Sequence, residues 1–387
     1  MRVAIVGGGA SGLACAIMCA KAGAKASVFE ASSRCASKIL ASGNGRCNIT
    51  NIDIKASNYH SSDQDLVKNI LQEFGYSKQR AFFESLGLLL DVVADGRVFP
   101  ISYEAKSVAN TLIEHAQILG VELLTNHPIT SLDPLLASFD LVVVATGSKA
   151  ATGSDEAYTP LADLGCQLVS PYPALVQLHT TSDLPKKMSG VRLNTTALLV
   201  VDGKKAGFKS GDLLFTHYGL SGLVTLDLSQ KASLALEQKR SVEMHIDLLP
   251  SLETQKLAWH LQRAAKETSL PPLSILSSIL PHKVASVVVG ETKQIDAKSS
   301  KRIAHLIKDL RFEISQTHGF KHAEVCGGGV ILSEVDPKTL RAKRNNRVYI
   351  CGEALDVVGD RGGYNFAFAW ASAHAVARDV IKRARSS

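Results

Sequence analysis

The sequence has little of what would cross-link it or place it in a membrane. Its seven cysteines (15, 19, 35, 47, 166, 326 and 351) are odd in number, scattered, and include no CxxC pair. Neither a disulfide framework nor a zinc or other metal site is therefore expected, and a dithiol reductase built like thioredoxin reductase is disfavoured. No apolar run is long enough to cross a bilayer, and the first apolar strand opens directly after Met1 with no signal-like segment ahead of it. A cytoplasmic protein with no membrane partner is the expectation. Internal repeats and low-complexity stretches are also missing. The formal net charge of +7 is spread along 387 residues, with short clusters only at 338–347 and 382–385. An ordinary solvated basic surface is expected from this, and nucleic acid is not expected as a partner.

What is present begins at the N-terminus. Val3 to Val6 is a short apolar run of the kind that forms a strand buried on both faces, and it breaks into Gly7, Gly8 and Gly9. Leu13, Ala14, Ile17 and Met18 then recur at helical spacing, and Ala26 to Phe29 reads as a second strand ending at Glu30. This βαβ unit fits a dinucleotide: Gly7 makes the turn, Gly9 admits a pyrophosphate, Gly12 lets helix pack on strand, and the first-turn amides of Ala10 and Ser11 face the phosphates. Glu30 is placed to accept hydrogen bonds from a ribose and would repel a ribose phosphate, so FAD or NAD suits the site better than NADP.

Further on, residues 32–51 are nearly all small or polar, a stretch that cannot fill a core but can hydrogen-bond a ligand at close range. Residues 64–90 read as helix, and 105–119 as another helix leading to a strand at 121–124. Residues 139–147 form a fully apolar strand that ends in Ala145-Thr146-Gly147. From about 175 the texture becomes β-rich, with a turn at Asp202-Gly203, and 252–310 is mostly helical, punctuated by Pro271, Pro272 and Pro281. Both regions look like insertions into one larger fold. The tail returns to the first domain with a strand at 347–351 and Gly352-Glu353, then Asp356 and the Gly-rich opening of a helix at 366–382.

Taken together, GGGASG with Glu30, KILASGNGRCNITN, GRVFP, VVVATG, FTHYGLSG, GGGVILSEVDPKTL and YICGEALDVVGDRGGYNFAFAWAS resemble the flavoprotein family labelled NAD(P)/FAD-dependent oxidoreductase, whose members include aminoacetone-oxidase-like and bile-acid-reductase-like proteins. The resemblance runs from residue 1 to about 380. It implies an α/β fold: an FAD-binding Rossmann-like domain of glutathione-reductase type at 1–188 and 326–387, an inserted β-barrel at 189–250 and 311–325, and an inserted helical domain at 251–310. It also implies that Gly7, Gly9, Gly12 and Glu30 hold the ADP half of FAD. Ala145 to Gly147 lie beside the cofactor, and Lys38 with Ser42, Gly43, Asn44, Gly45, Arg46, Cys47 and Asn48 pass near the isoalloxazine. Gly352, Glu353, Asp356, Gly362, Gly363, Tyr364 and Asn365 approach the ribityl chain and ring. Five positions depart from the pattern: Ala36-Ser37 for a Gly-basic pair, Leu223 for proline, and Cys326 and Arg361 for threonines.

The flavin would carry the redox chemistry, and a helix N-terminus at 363–365 would favour its reduced, more negative form. Arg46, Cys47, His217, Tyr218 and Arg361 are the candidates for catalytic roles, each set against a packing or surface role. No second GxGxxG is visible: Gly327 to Gly329 run into Val330-Ile331-Leu332 and do not open a helix. NAD(P)H is therefore expected at most as a transient reductant. The leading expectation is an FAD-dependent oxidoreductase acting on a small organic substrate in a cleft between the FAD and inserted domains. The alternatives are a flavin-dependent RNA-modifying or RNA-binding protein and a non-catalytic FAD-binding protein, and the oligomeric state is left open.

Overall fold

A computed structural model describes residues 1–151 and 153–386. The chain divides into two compact units, Met1–Pro171 with Glu324–Ser387, and Tyr172–Ala323. The first is built on a five-stranded parallel sheet in the order Val348–Ile350, Leu141–Val144, Arg2–Val6, Lys25–Phe29, Glu122–Leu124. Val3 to Val6 and Val142 to Val144 are buried on both faces, as continuous apolar runs in a helix-covered parallel sheet must be. The chain steps outward from Arg2–Val6 on one side and then returns to place Leu141–Val144 on the other. The order therefore reverses between these two strands, and a crevice opens at their carboxyl ends.

The first helix, Ala10–Lys21, packs on this sheet and against the last, Tyr364–Ser386; small residues of the two helices, among them Ala14, Ala16, Ala367 and Ala371, are fully buried. The last helix is longer at both ends than the 366–382 read from sequence. The expected single helix over 64–90 is two, Gln64–Glu73 and Tyr76–Glu84, followed by a strand at Leu90–Val92. The break is at Phe74-Gly75, where both residues leave helical geometry and Gly75 becomes the extended N-cap of the second helix.

The second unit holds a closed six-stranded antiparallel barrel, in the order Leu178–Thr180, Gly219–Ser221, Lys204–Phe215, Arg192–Val201, Val242–Asp247, Leu310–Thr317. The Asp202-Gly203 turn joins its two longest strands, with both residues at positive φ. This unit begins at Tyr172, and its first barrel strand precedes residue 189. A 15-residue helix, Leu223–Glu237, sits within the stretch read as β-rich. Four helices at Thr254–Thr268, Pro272–Ser277, His282–Val289 and Ala297–Lys308 fill the region read as helical; Pro272 stands at a helix start, where its missing N–H costs nothing.

Candidate functional site

The crevice at the strand reversal is lined by the loops that follow Val6 and Val144. They touch closely: a Cβ at Gly7 (φ +110°) would collide with the backbone of Ala145 and Thr146, and one at Gly12 with the carbonyl of Gly7. These two glycines are required by the fold itself. Gly9 differs, since a Cβ there would meet nothing within 4 Å, and the same holds at Gly147. Gly9 is the N-cap of the first helix, with no side-chain cap and no acidic residue in the first turn. Its early amides are left for an outside acceptor, the arrangement a pyrophosphate requires.

Glu30 accepts the N–H of Gly8 at 2.7 Å on one oxygen and both the N–H and hydroxyl of Ser32, at 2.9 and 2.7 Å, on the other. A carboxylate fixed in this way keeps an acceptor position on the first oxygen. Ala36, at positive φ, donates its N–H to Gly8 at 2.8 Å, which ties the polar stretch to the glycine turn.

Segments from both ends of the chain meet here. Lys38 forms an ion pair with Glu353 and donates to Ser148 at 3.2 Å, and Glu353 accepts the N–H of Cys326 at 2.9 Å. A Cβ at Gly352 (φ +69°) would strike Ser11, and one at Gly363 would lie 2.8 Å from the Asn48 side-chain oxygen. Asp356 accepts from Gly328 at 3.0 Å; burial raises its carboxyl above the ordinary range, and that hydrogen bond opposes the shift in part. Ser42 to Gly45 form a tight turn in which Gly43, Asn44 and Gly45 all take positive φ, as does Cys47 beyond it. The Gly359–Asn365 loop is closed by Asn365, whose amide donates to the Gly359 carbonyl and accepts its N–H, both at 2.8 Å. Tyr364 is held through its carbonyl by the Tyr59 hydroxyl at 2.9 Å. Thr146 is engaged by its hydroxyl with the Ala157 carbonyl at 2.6 Å.

Among the catalytic candidates, Cys47 is fully buried and burial pushes its thiol up to about 12, with a Ser42 hydrogen bond working the other way. That environment holds the thiol protonated and inert at neutral pH. Arg46 is exposed, with its guanidinium 5.9 Å from the Phe99 ring centre, and Arg361 is half-buried in the loop after Asp360. His217 and Tyr218 belong to the second unit, in a cluster that sequence reading only half found. Tyr218 stacks on His318 at 4.2 Å and on His179 at 4.8 Å, the two imidazoles share a 2.7 Å N–N hydrogen bond, and His322 packs on His318 at 4.0 Å. Burial, followed by neighbouring imidazoles, lowers the pKa of both His179 and His318. Among the described residues no group of three or more His, Cys, Asp or Glu could hold a metal ion.

Sequence reading also missed the supports under the Gly359–Asn365 loop. Buried Gln79 accepts from the Thr50 hydroxyl at 2.5 Å and donates to the carbonyls of Phe74 and Ala367 at 2.8 and 3.0 Å, while Asn51 donates to the Gly362 carbonyl at 3.0 Å. Thr50 and Asn51 lay within the polar stretch and were open to notice; nothing in sequence marked Gln79.

The fold defines a class, a Rossmann-type protein whose candidate site draws on both ends of the chain. Residues 1–379 match the model of the HI0933-like protein Rossmann domain, and the chain belongs to that family. It is 31% identical to a 3-dehydro-bile acid Δ(4,6)-reductase of Clostridium scindens, with 99% of each chain covered, and 28% identical to a ribosomal RNA dihydrouridine synthase of Haemophilus influenzae, with 98% of each covered. Among solved structures, 3-ketosteroid-Δ4-(5α)-dehydrogenase of Rhodococcus jostii resembles it with a TM-score of 0.47 at 13% identity, covering 98% of this chain and 96% of that one. The chain is a flavoprotein of the oxidoreductase class with a Rossmann-type FAD-binding unit.

Proposed function

We propose that this protein transfers a hydride between bound FAD and a small organic substrate, with NAD(P)H as a transient reductant. The observation that carries the reading is the turn after Val6, where backbone closes in on Gly7 and Gly12 while Gly9, the uncapped start of the first helix, and Gly147 have open space beside them. Bound there, FAD would supply the redox chemistry, and this chain's residues would bind and orient it. Ala10, Ser11 and Gly12 would present amides to the pyrophosphate and Glu30 its free lone pair to the ribose. Lys38, Ser42 to Asn48, Ala145, Thr146 and the 352–365 segment would line the rest. The amides opening the last helix would favour negative charge at the ring edge, by about 0.3–1 kcal/mol if exposed and up to about 2 if partly buried. Cys47 is left out of the chemistry by its burial; Arg46 and Arg361 remain as groups able to orient an anionic substrate.

Gly327 to Gly329 lie in a fully buried strand, Val325–Val330, and offer no second nucleotide loop, which is why the nicotinamide is given only a passing role. The test is anaerobic. Purified protein should show flavin absorbance that NADH or NADPH bleaches and that an acceptor, such as the 3-dehydro-bile acids the Clostridium relative is named for, restores. Protein that neither carries flavin nor takes it up from solution would overturn the reading. Bleaching only by an amine donor, with peroxide formed on readmitting air, would replace reductase with oxidase. A second reading, action on a uridine in ribosomal RNA, is supported by the Haemophilus relative and by an Escherichia coli protein of the same name, 26% identical over 97% of each chain. Loss of uridine absorbance in a ribosomal RNA transcript on incubation with the reduced protein would favour it.

A further inference from the structure

The imidazole cluster of the second unit holds chemically competent side chains that the cofactor site leaves unused, and the barrel backbone explains how they gather. His179 lies on a strand paired with Gly219 on one side and Gln316 on the other. A Cβ at Gly219 (φ +155°) would lie 2.2 Å from the Leu178 carbonyl oxygen, so only glycine lets these strands close, and the closure carries the preceding Tyr218 onto the His179 ring. His318 follows the strand of Gln316 and donates its N–H to the Gln177 carbonyl at 2.8 Å, which brings its ring to Tyr218 as well.

A hydrogen-bond chain through the cluster fixes where its protons sit. The Gln316 side-chain nitrogen, 3.4 Å from Nδ1 of His179, can only donate, so Nδ1 accepts and the proton of neutral His179 is on Nε2. That nitrogen lies 2.7 Å from Nδ1 of His318 and donates to it, which leaves the His318 proton on its own Nε2. The Nε2–H of His318 has no hydrogen-bond partner among the described residues. Its direction is set, because the ring is stacked on Tyr218 at 4.2 Å and packed by His322 at 4.0 Å. Burial and the neighbouring imidazoles favour the neutral forms, and a neutral imidazole donates a hydrogen bond without surrendering its proton. Among the described residues no carboxylate pairs with His179, His217, His318 or His322, and the cluster is not a metal site. Apolar rings would serve a purely structural stack; a polar chain that ends in a fixed, unpartnered donor calls for a ligand oxygen. Tyr218 is half-buried and His217 and His322 are exposed, so the donor stands among accessible ring surfaces that suit a flat, conjugated ligand.

We propose that the second unit binds the ionised hydroxyl of a flat aromatic or enolic ring, with that oxygen on the Nε2–H of His318. His179 and Gln316 are positioning residues, acting through the tautomer of His318. The inference stands on the second unit alone and does not rest on the reading of the cofactor site. The test is equilibrium dialysis of the full-length protein against 4-nitrophenol at pH 8, where this probe is largely ionised. Saturable binding is expected. 4-Nitrobenzyl alcohol, which has the ring but does not ionise, should bind about 10-fold more weakly or worse, and acetate, which has the charge but no ring, should not displace the probe at equal concentration. His318→Phe keeps a ring in the stack and removes the donor; it should weaken binding by about 10-fold or more, as loss of a hydrogen bond to a charged group does. His179→Phe frees the His318 tautomer and should show part of that loss. Its separate readout is the nitrogen spectrum of histidine-labelled protein, in which His318 should carry its proton on Nε2 in the parent and on both nitrogens in His179→Phe. His260→Gln/His305→Gln, at exposed positions of the helical region, should bind as the parent does. The proposal is overturned if 4-nitrophenol shows no saturable binding, if His318→Phe with unchanged melting binds it normally, or if the His260→Gln/His305→Gln control loses as much. It is equally overturned if the alcohol binds as well as the phenolate, if acetate displaces the probe, or if His318 of the parent carries its proton on Nδ1.

Discussion

Gly9 and Gly12 are three residues apart in one motif, and the structure gives them opposite jobs that substitution separates. In Gly12→Ala the new methyl would overlap the Gly7 carbonyl oxygen, which is backbone and cannot swing away, with the Ile5 side chain 3.4 Å off on another side. Relief requires the helix to move off the strand, an overpacking cost of about 1–3 kcal/mol. In Gly9→Ala the methyl meets nothing within 4 Å, and the backbone there (φ −81°, ψ −165°) is open to any residue. Alanine is the poorer N-cap but leaves the unfolded chain less freedom, and these terms offset to within about 0.5 kcal/mol. The methyl instead fills the space through which a pyrophosphate reaches the helix amides. A tenfold loss of FAD affinity, about 1.4 kcal/mol, is the least it should cause. The assay is thermal melting of the apoprotein with and without FAD, beside a fluorescence titration. Apo Gly12→Ala should melt early, whereas apo Gly9→Ala should melt with the parent. At FAD one hundred times the parent Kd, the parent gains about 2.7 kcal/mol and Gly9→Ala about 1.4. Equal early melting of both apoproteins, or normal FAD affinity in Gly9→Ala, would refute the division.

Breaking the Lys38–Glu353 pair with Lys38→Met should lower stability by about 1 kcal/mol, a figure kept small by the partial exposure of both side chains, and a urea midpoint reads it. All seven cysteines are buried, so iodoacetamide at pH 8 should label none in the native protein and all in urea; rapid native labelling at Cys47 would contradict its burial. Burial and neighbouring imidazoles depress His179 and His318, so the folded state favours their neutral forms. Their contribution to stability is whole above about pH 6.5 and falls away as pH drops below it toward the folded values. His318→Phe should flatten that limb of a pH–stability curve. Asp356 has the opposite linkage: its raised carboxyl favours the protonated form, a contribution present at low pH and lost as pH rises through the folded value. Asp356→Asn should therefore be at least as stable as the parent at pH 7 in chemical denaturation.

The sheet was legible because its strands are buried on both faces, and Val3 to Val6 and Val142 to Val144 advertise this as unbroken apolar runs. The Leu223–Glu237 helix was not, because its buried side mixes Val224, Leu228 and Ala232 with Thr225, Ser229 and Ser233 and shows no clean apolar stripe. The break at Phe74-Gly75 hid for another reason: apolar residues continue at helical spacing through Phe82 and Phe83, and a glycine alone does not announce a cap. At the site, Gly7 and Gly12 could be read because each answers a close approach of backbone at a fixed place in the motif. Gln79 could not, since its partners Thr50, Phe74 and Ala367 are gathered only by the tertiary fold. The imidazole cluster was half visible for the same reason: His217 and Tyr218 are adjacent in the chain, but His179 and His318 join them from two other barrel segments.

The long reach of these contacts says why the cradle needs both ends of the chain. A βαβ unit alone supplies glycines and an acidic residue, but the helix start at Ser11 is walled on one side by Gly352, and Gly352 donates its N–H to Ser372 at 2.9 Å on the last helix. The polar stretch at 42–51 is likewise shaped by the C-terminal segment, since Asn51 holds the Gly362 carbonyl and Trp370 donates to the Ile49 carbonyl at 2.9 Å. Removing the chain from Tyr349 onward would take away Trp370 from the Ile49 carbonyl, the Gly362 carbonyl from Asn51 and the Ala367 carbonyl from Gln79, and leave these buried polar groups short of a partner, at about 1–3 kcal/mol each. A chain ending before Tyr349 should therefore lose the fold of the first unit along with FAD binding, although Gly7, Gly9, Gly12 and Glu30 would all still be present. Soluble, native-like expression of such a fragment with retained FAD would show that the opening βαβ unit suffices.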